Sequence, residues 1–269
     1  MVDNFGNPSS IYKIGRMNKI AVEEARKSIA KTIGACPDDI FFTSGGTESD
    51  NWVLESAAES ATESDSAHII VSAIEHPAVI NKCIQLKKRG CDVDYIKTDK
   101  NGIINTDDLI SKIRDDTKLI SVMLVNNEIG TIQPVKNVCN IAAEYAIPVH
   151  TDAVAAYGHI PVNVKELGVD YLSVSAHKIG GAKGTGFLYA KAANINPYIY
   201  GGGQEKGKRS GTENVAGIMG LAKAAEIAQE KLDSRIEEEN ITKNYITNRI
   251  LREIKGSTLN GDYKKRISG

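Results

Sequence analysis

The stretch Leu119-Ile-Ser-Val-Met-Leu-Val125 is apolar at every position except Ser121, with no alternation of polar and apolar residues. Such a strand is buried on both faces, as in a mostly parallel sheet that helices cover on each side. Six further short runs predict strands, and five stretches between the runs have helical spacing. The strand runs are Ile40–Thr43, His68–Ala73, Val93–Ile96, Pro148–Thr151, Tyr171–Val174 and Gly186–Tyr189; the helical stretches are Lys19–Ile33, Ser49–Ala61, Pro77–Lys88, Asp107–Ile113 and Val135–Tyr145. The sequence therefore predicts an α/β fold with a mostly parallel seven-stranded sheet sandwiched by helices.

The last third of the chain has a different pattern. From Asn214 to Ile254 apolar residues recur at helical spacing with few breakers, which predicts one long helix or two in succession. We expect a lead-in segment at residues 1–15 and a large domain at 16–235. At 236–269 we expect the end of the long helix and the start of a smaller C-terminal domain. Because both chain ends are abrupt, we expect a chain that is truncated on each side.

Composition excludes several classes of protein. The chain has 33 Lys+Arg against 34 Asp+Glu, and this net charge of −1 lacks the excess of basic residues that a nucleic-acid-binding protein needs. Its apolar runs are only a handful of residues long, whereas a membrane-crossing helix needs about 20. The N-terminus lacks the pattern of a secretory signal. The four cysteines have no Cys-x-x-Cys spacing, so we expect a reducing, cytoplasmic setting.

Two successive strands end in residues of opposite charge. Tyr171-Leu-Ser-Val-Ser-Ala-His177-Lys178 places a lysine after one strand, and Pro148-Val-His-Thr-Asp152-Ala153 places an aspartate after the other. The carboxyl ends of parallel strands form the ligand crevice of open α/β folds. There a partly buried Lys178 can hold an aldehyde as an imine, while Asp152 keeps a pyridine nitrogen protonated, which is what pyridoxal phosphate requires. Taken singly, a lysine that turns into solvent and an aspartate that caps a helix are the simpler alternatives.

Three further segments supply groups that a phosphate and a flat ring need. Residues 41–49 run from a strand through Gly45-Gly46 into a helix start, whose free N–H groups and Thr47 hydroxyl suit an anion. His76 follows another strand and can stack on a heteroaromatic ring, and either Asn126 or Asn127 can reach a phenolic oxygen. Each segment also has a structural alternative, namely a common strand-to-helix connection, a loop histidine and a turn cap.

Two glycine-rich segments are poor matches to nucleotide-binding motifs. In Gly201–Thr212, Gly202, Gly207 and Lys208 fit a Walker phosphate loop, but Arg209 stands where Ser or Thr should hold magnesium. The segment Gly181–Gly186 has its glycines in the wrong order for a dinucleotide fingerprint, and it enters a strand rather than leaving one. We therefore reject a nucleoside triphosphatase and a dehydrogenase.

Six motifs occur together in a recognisable order and spacing. They are Phe5-Gly-Asn-Pro-Ser-Ser10, Thr43-Ser-Gly-Gly-Thr-Glu48, Val125-Asn-Asn-Glu-Ile-Gly130, His150-Thr-Asp-Ala153, Ser175-Ala-His-Lys178 and Arg209-Ser-Gly-Thr212. Through them the chain resembles NifS/IscS-type cysteine desulfurases, class V members of the fold-type I pyridoxal-phosphate superfamily, over essentially its whole length. The resemblance implies that residues 16–235 are the pyridoxal-phosphate-binding large domain of such an enzyme.

The resemblance also implies roles for individual residues. Lys178 is the lysine that binds the cofactor, and Asp152 is the partner of its pyridine nitrogen. His76 stacks on the ring, and Asn127 lies near the phenolic oxygen; Lys178 and His76 are the expected catalytic residues. The phosphate-binding positions are Gly46, Thr47, Ser175 and His177. Thr212 matches a residue that reaches the phosphate in the other subunit of a homodimer.

The chain departs from the family pattern at two positions. Ala155, at a cofactor-binding position, replaces a glutamine that hydrogen-bonds the phenolic oxygen, and Ala182 replaces a proline. Loss of one neutral hydrogen bond costs about 0.5–1.5 kcal/mol, so cofactor binding should survive. The nucleophilic cysteine of the family, and an arginine for the substrate carboxylate, lie beyond residue 269. We therefore expect this chain to bind the cofactor without turning over cysteine by itself.

For the complete protein the resemblance implies conversion of L-cysteine to L-alanine. The sulfur passes to an enzyme cysteine as a persulfide, for iron–sulfur cluster or thio-cofactor synthesis. The implied partners are L-cysteine, a sulfur-acceptor or scaffold protein and a second copy of the chain, with no nucleic acid and no membrane. One alternative is another class V enzyme, an aminotransferase or a selenocysteine lyase. A second alternative is a non-catalytic dimerisation core, to which Ala155 and the missing nucleophile lend weight.

Overall fold

The computed structural model describes residues 5–60 and 67–268. Within them seven strands form one sheet, in the order β1-β7-β6-β5-β4-β2-β3. The strands are β1 (Ile40–Thr43), β2 (His68–Ser72), β3 (Asp92–Ile96), β4 (Thr117–Ser121), β5 (Val149–Asp152), β6 (Tyr171–Ser175) and β7 (Gly186–Ala190). β7 runs antiparallel to its neighbours β1 and β6, and the other pairings are parallel. The predicted seven-stranded, mostly parallel sheet is confirmed.

Helices cover both faces of this sheet. They are α1 (Lys13–Thr32), α2 (Gly46–Glu59), α3 (Pro77–Lys88), α4 (Thr106–Lys112), α5 (Val135–Glu144), α6 (Val164–Leu167), α7 (Val215–Glu230) and α8 (Leu232–Glu253). Successive residues of a strand point to opposite faces. Phe41 of β1 packs edge to face on Trp52 of α2, with 5.6 Å between the ring centroids, in the core that α2 and α3 share. Phe42 belongs to the opposite core, with residues of α1, α5 and α7.

The predicted helices are present, with differences at their ends. α1 begins at Lys13 rather than Lys19, whereas α3 has the predicted bounds. Ala61, the predicted end of the second helix, lies outside the described residues. The long C-terminal pattern forms two helices, α7 and α8, with Lys231 between them. No helix in the described ranges combines the length and apolar character that a membrane crossing requires.

The proposed domain boundaries fall inside helices. The boundary after residue 15 lies within α1, and the boundary after residue 235 lies within α8. Residues 1–4 of the proposed lead-in segment and residue 269 of the proposed C-terminal unit lie outside the described residues. The division of the chain into three parts stays a prediction.

β4 is shorter than its apolar sequence predicts, since it ends at Ser121 and not at Val125. The next residues stay beside β5, because the Val122 N–H donates to the His150 carbonyl. Met123 instead donates its N–H to the carboxyl group of Glu75, at 2.7 Å. A buried side chain thus takes the place of the neighbouring strand β2, and the regular ladder ends there.

Candidate active site

A cavity of about 490 Å³ opens at the carboxyl ends of β1, β5 and β6, within the size range of small-molecule pockets. The cavity is lined by nine of the ten residues predicted for the cofactor. These are Gly46, Thr47, His76, Asn127, Asp152, Ala155, Ser175, His177 and Lys178. Thr212 lies outside it, in a separate depression beside the N-terminal segment. The structure brings the nine residues together, and their individual roles stay predictions.

The start of α2 forms one wall of the cavity. Gly45, just before the helix, has a φ of +148°, a conformation that favours glycine. A Cβ added at Gly46 would collide with the side chain of Val154, so glycine permits the close approach of the loop after β5. The N–H groups of the first turn have no acceptor within the helix, and they coincide with the positive end of its dipole. This turn is therefore suited to an anion.

Glu48 is a negative charge in the same turn, but its carboxylate is neutralised locally. Arg209 donates two hydrogen bonds to it, at 2.7 and 3.0 Å, and the Ser44 N–H donates a third at 2.9 Å. Burial alone would raise the pKa of Glu48, but these hydrogen bonds outweigh it and hold the pKa below its usual value. The ion pair thus removes a charge that would oppose a phosphate.

Asp152 ends β5 and is only 5% exposed. Its Oδ1 accepts a hydrogen bond from the Val154 N–H at 2.8 Å, so the carboxylate does cap the turn that follows the strand. Burial raises the pKa of Asp152, while that hydrogen bond and the positive charge of Lys178 oppose the rise. The capping alternative and the predicted placement facing a ligand are therefore both compatible with this one side chain.

Lys178 lies on the short turn Ala176–Ile179 that follows β6. Asp152 pairs in register with Ser173 of β6, so the predicted neighbourhood of the two strand ends is found. The partial burial that would favour a neutral Lys178 amine is not found in the chain as described, because this side chain is exposed where it lines the cavity. Within residues 5–60 and 67–268 its ammonium group has no hydrogen-bond acceptor. An amine with no partner is free to bind a ligand.

Ser175 and His177 form a second polar pair at this edge of the sheet. The Ser175 hydroxyl lies 2.8 Å from Nδ1 of His177. Partial burial, together with the positive charges of Lys178 and Lys183, lowers the pKa of His177. The imidazole is therefore neutral at pH 7 and acts as a hydrogen-bonding group rather than a cation.

His76, Asn126 and Asn127 differ in how many hydrogen bonds their side chains make with the backbone. Nδ1 of His76 accepts the Ala78 N–H at 3.1 Å and caps α3, which leaves Nε2 to carry the proton. Asn126 is buried and fully engaged, since its amide donates to the Ile74 carbonyl and its oxygen caps the following turn. Of the two amides only Asn127 lines the cavity. The structure thus separates two residues that the sequence left as alternatives.

The cavity lining also contains residues that the sequence did not predict as site residues, among them Asp50, Met123 and Lys183. Asp50 follows Gly46 by four residues on α2, a spacing that puts both on one face of the helix. That spacing was the available signal for Asp50. Met123 was interpreted as part of a buried strand, and Lys183 as part of a glycine-rich turn, so neither was considered as a site residue.

None of the cysteines lines the cavity. Burial raises the pKa of Cys83 and of Cys139 to about 12, and it also raises the pKa of Cys91. These thiols are therefore poor nucleophiles. Cys36 is exposed in the segment between α1 and β1, away from the cavity.

A wider surface groove of about 1160 Å³ lies between α1 and α7. Its charged residues pair with each other, as Lys27 does with Glu24 at 2.8 Å and Lys223 with Glu226 at 3.2 Å. It contains none of the predicted site residues. The smaller cavity at the strand ends is therefore the candidate active site.

Comparison with known proteins gives a consistent result. A family model described as Aminotransferase class-V matches residues 2–269. The cysteine desulfurase IscS of Dictyoglomus turgidum is 50% identical over 98% of this chain and 67% of its own length. A solved NifS-like protein superposes with a TM-score of 0.95 at 39% identity, over 99% of this chain and 73% of that one. A solved structure described as SspA in complex with cysteine has a TM-score of 0.81 at 39% identity, over 88% of this chain and 71% of that one. The chain spans about two thirds of the length of the curated relatives that it matches.

Proposed function

The chain belongs to the class V aminotransferase family, and on that premise we propose that it is the cofactor-binding part of a pyridoxal-phosphate-dependent cysteine desulfurase. The observation that carries the proposal is the single cavity lined by Lys178, Asp152 and the first turn of α2. The names of its relatives support the activity, and the solved relative described as a complex with cysteine supports the substrate.

The chemistry of the lining residues fits pyridoxal phosphate. Lys178 offers an amine without a partner in the described residues, and Asp152 offers a buried carboxylate on which that amine acts electrostatically. Gly46 and Thr47 offer N–H groups at a helix start, and Ser175 adds a hydroxyl. When bound, the cofactor supplies an aldehyde and a ring that withdraws electrons from the substrate carbon.

Each residue then has a defined task. The Lys178 amine would hold the aldehyde of the cofactor, and as a free amine it would accept the proton of the substrate α-carbon. The Asp152 carboxylate would hold a proton on the ring nitrogen, and His76, whose Nδ1 caps α3, would offer its Nε2–H to the ligand. The hydrogen bond between Ser175 and the neutral His177 uses the proton of one of them, so the other would donate a hydrogen bond to a phosphate oxygen. Ala155 has no polar atom to offer, so Asn127 is the side-chain amide that serves the phenolic oxygen.

The sulfur is accepted by a thiol outside this set. The raised pKa values of Cys83, Cys91 and Cys139, and the distance of Cys36 from the cavity in the fold, remove the cysteines of this chain from that role. We propose that the nucleophile belongs to the remaining third of the relatives' length, and that the 269-residue chain binds pyridoxal phosphate without forming alanine.

A homodimer is also part of the proposal. Thr212 shares a depression of about 470 Å³ with Phe5 and Met219, whose side chains are 77% and 45% exposed. A second copy of the chain would cover these apolar groups and could bring Thr212 to the partner's phosphate. The molar mass in solution, from light scattering after gel filtration, checks the dimer independently of the cofactor.

The cofactor site is tested with two lysines of the same cavity. The wild-type chain is mixed with pyridoxal phosphate, reduced with borohydride and mapped by mass spectrometry. We expect the label on Lys178, loss of both label and visible absorbance in Lys178→Ala, and retention of both in the control Lys183→Ala. Label on Lys183, or a colourless wild-type chain, would contradict the proposal.

The substrate class needs the full-length protein. With L-cysteine we expect alanine and sulfide in the presence of a thiol, and with Lys178→Ala neither product. Faster alanine formation from selenocysteine than from cysteine would favour a selenocysteine lyase, and amino transfer to an oxo acid would favour an aminotransferase.

A further inference from the structure

A second buried carboxyl lies in the cavity near Asp152. Asp50, one turn after Gly46 on α2, is only 1% exposed and lines the same cavity. Its Oδ1 has no hydrogen-bond partner among the described residues. The nearby His150 Nε2 is 3.5 Å from that oxygen, too far for a good hydrogen bond. A buried carboxyl with an unsatisfied oxygen calls for a specific explanation.

No cation compensates Asp50 within the described residues. His150 lies between two serine hydroxyls, with Nδ1 2.8 Å from Ser121 Oγ and Nε2 2.9 Å from Ser173 Oγ. Burial lowers the pKa of His150 to about 3, so the ring is neutral at pH 7. The other titratable neighbour is Glu75, a further buried carboxyl whose pKa burial raises to about 8. The surroundings of Asp50 therefore disfavour a negative charge.

Asp50 and Asp152 have unequal surroundings. Asp152 accepts the Val154 N–H, and the positive charge of Lys178 acts on it. Asp50 has only the Ser173 hydroxyl, and both its burial and the charge of Asp152 raise its pKa well above the usual range. Two buried carboxyls without a cation between them retain one proton at neutral pH. The asymmetry assigns that proton to Asp50.

We propose that Asp50 is a positioning residue of the cofactor site, which carries the single proton of the Asp50–Asp152 pair and so leaves Asp152 ionised to face the ring nitrogen. Only the identity of the ligand rests on the proposed function, because the proton is a property of the chain itself. α2 then serves both ends of the ligand. Its first turn would offer N–H groups to a phosphate, and Asp50, one turn further along, sets the charge of the Asp152 carboxyl.

The proton is tested first without any cofactor. Infrared spectra of the chain at pH 7 are compared for wild type, Asp50→Asn and the control Glu75→Gln. We expect Asp50→Asn to remove the C=O band of one protonated carboxyl, a band that shifts in heavy water, and Glu75→Gln to remove a different one. Loss of a carboxylate band in Asp50→Asn would show an ionised Asp50 and overturn the proposal.

A second measurement covers the case in which Asp50→Asn does not fold. NMR of the wild-type chain, with aspartate labelled at the carboxyl carbon, must show an aspartate that is still protonated at pH 7. A spectrum in which every aspartate is ionised would overturn the proposal as well.

Cofactor affinity supplies the functional arm. Since asparagine is a neutral isostere of the protonated acid, we expect Asp50→Asn to change the Kd of pyridoxal phosphate by less than about threefold. Asp152→Asn should raise that Kd about tenfold or more, through loss of a charge-assisted hydrogen bond. A tenfold loss in Asp50→Asn would mean that its charge is needed, against the proposal. Failure of the wild type to bind the cofactor would contradict the proposed function but leave the infrared result standing.

Discussion

Replacing Arg26 with methionine should destabilise the chain by about 3–5 kcal/mol, because the Glu205 carboxylate would stay buried without its cation. Arg26 on α1 donates two hydrogen bonds to Glu205, at 2.8 and 2.9 Å, and the side chains are 5% and 3% exposed. Arg26 also donates to the Ile40 carbonyl at 2.7 Å, and Glu205 accepts the Phe42 N–H at 2.8 Å. Methionine keeps the apolar stem, so the loss reports mainly on the charge.

Urea unfolding followed by circular dichroism measures this loss. In thermal unfolding of a chain of this size, each kcal/mol of lost stability lowers the melting temperature by about 2–4 °C, so we expect a fall of about 6–20 °C. The control is Lys27→Met, one residue away on α1. Lys27 pairs with Glu24 at 2.8 Å, but both side chains are more than half exposed, so this change should destabilise the chain far less than Arg26→Met.

A double variant separates charge from packing. If the penalty comes from an unpaired buried carboxylate, adding Glu205→Gln to Arg26→Met should recover part of the lost stability. The reasoning would be refuted if Arg26→Met cost no more than Lys27→Met. It would also be refuted if the double variant were less stable than Arg26→Met.

Three further outcomes are expected. Burial raises the pKa of Glu75 from 4.5 to about 8 in the folded chain. In the unfolded chain Glu75 therefore loses its proton at a lower pH than in the folded chain, and stability should fall as the pH rises from about 4.5 to about 8. Glu75→Gln should flatten this part of a plot of unfolding free energy against pH. Ala155→Gln should lower the Kd of pyridoxal phosphate about two- to tenfold in a fluorescence titration, since it adds one neutral hydrogen bond. An unchanged Kd would show that the amide does not reach the cofactor. Arg209→Gln should raise the same Kd, because the Glu48 charge in the anion-binding turn loses its partner. Adding Glu48→Gln to this variant should restore the affinity.

Much of the fold was predictable because its signals are local. Buried runs such as Leu119–Val125 identify strands by composition alone, and all seven strands are present. The error at the end of β4 arose from a contact that is distant in sequence, since the Glu75 carboxyl group accepts the Met123 N–H. Apolar character does not show where a side chain will replace a neighbouring strand.

The site was predictable to the extent that topology gathers strand ends. Asp152 ends β5 and Lys178 follows β6. Because these strands are adjacent and parallel, the placement of both residues at one edge follows from the order of the chain. The exposure of Lys178 does not follow, since it depends on what covers the open side of the cavity. Asp50 was not predicted, because its role depends on its burial in the cavity, and the sequence of a helix alone does not show which of its polar residues are buried.

The glycine-rich loop 201–212 shows how structural and functional signals overlap. Its basic residues are used inside the chain, since Lys208 donates to the Ala193 carbonyl at 2.7 Å and Arg209 is bound to Glu48. Glu205 ties the same loop to Arg26 on α1. The loop is therefore fastened both to the wall of the cavity and to the core. It follows that Arg26→Met should weaken cofactor binding as well as stability, although Arg26 does not line the cavity, whereas Lys27→Met should change neither.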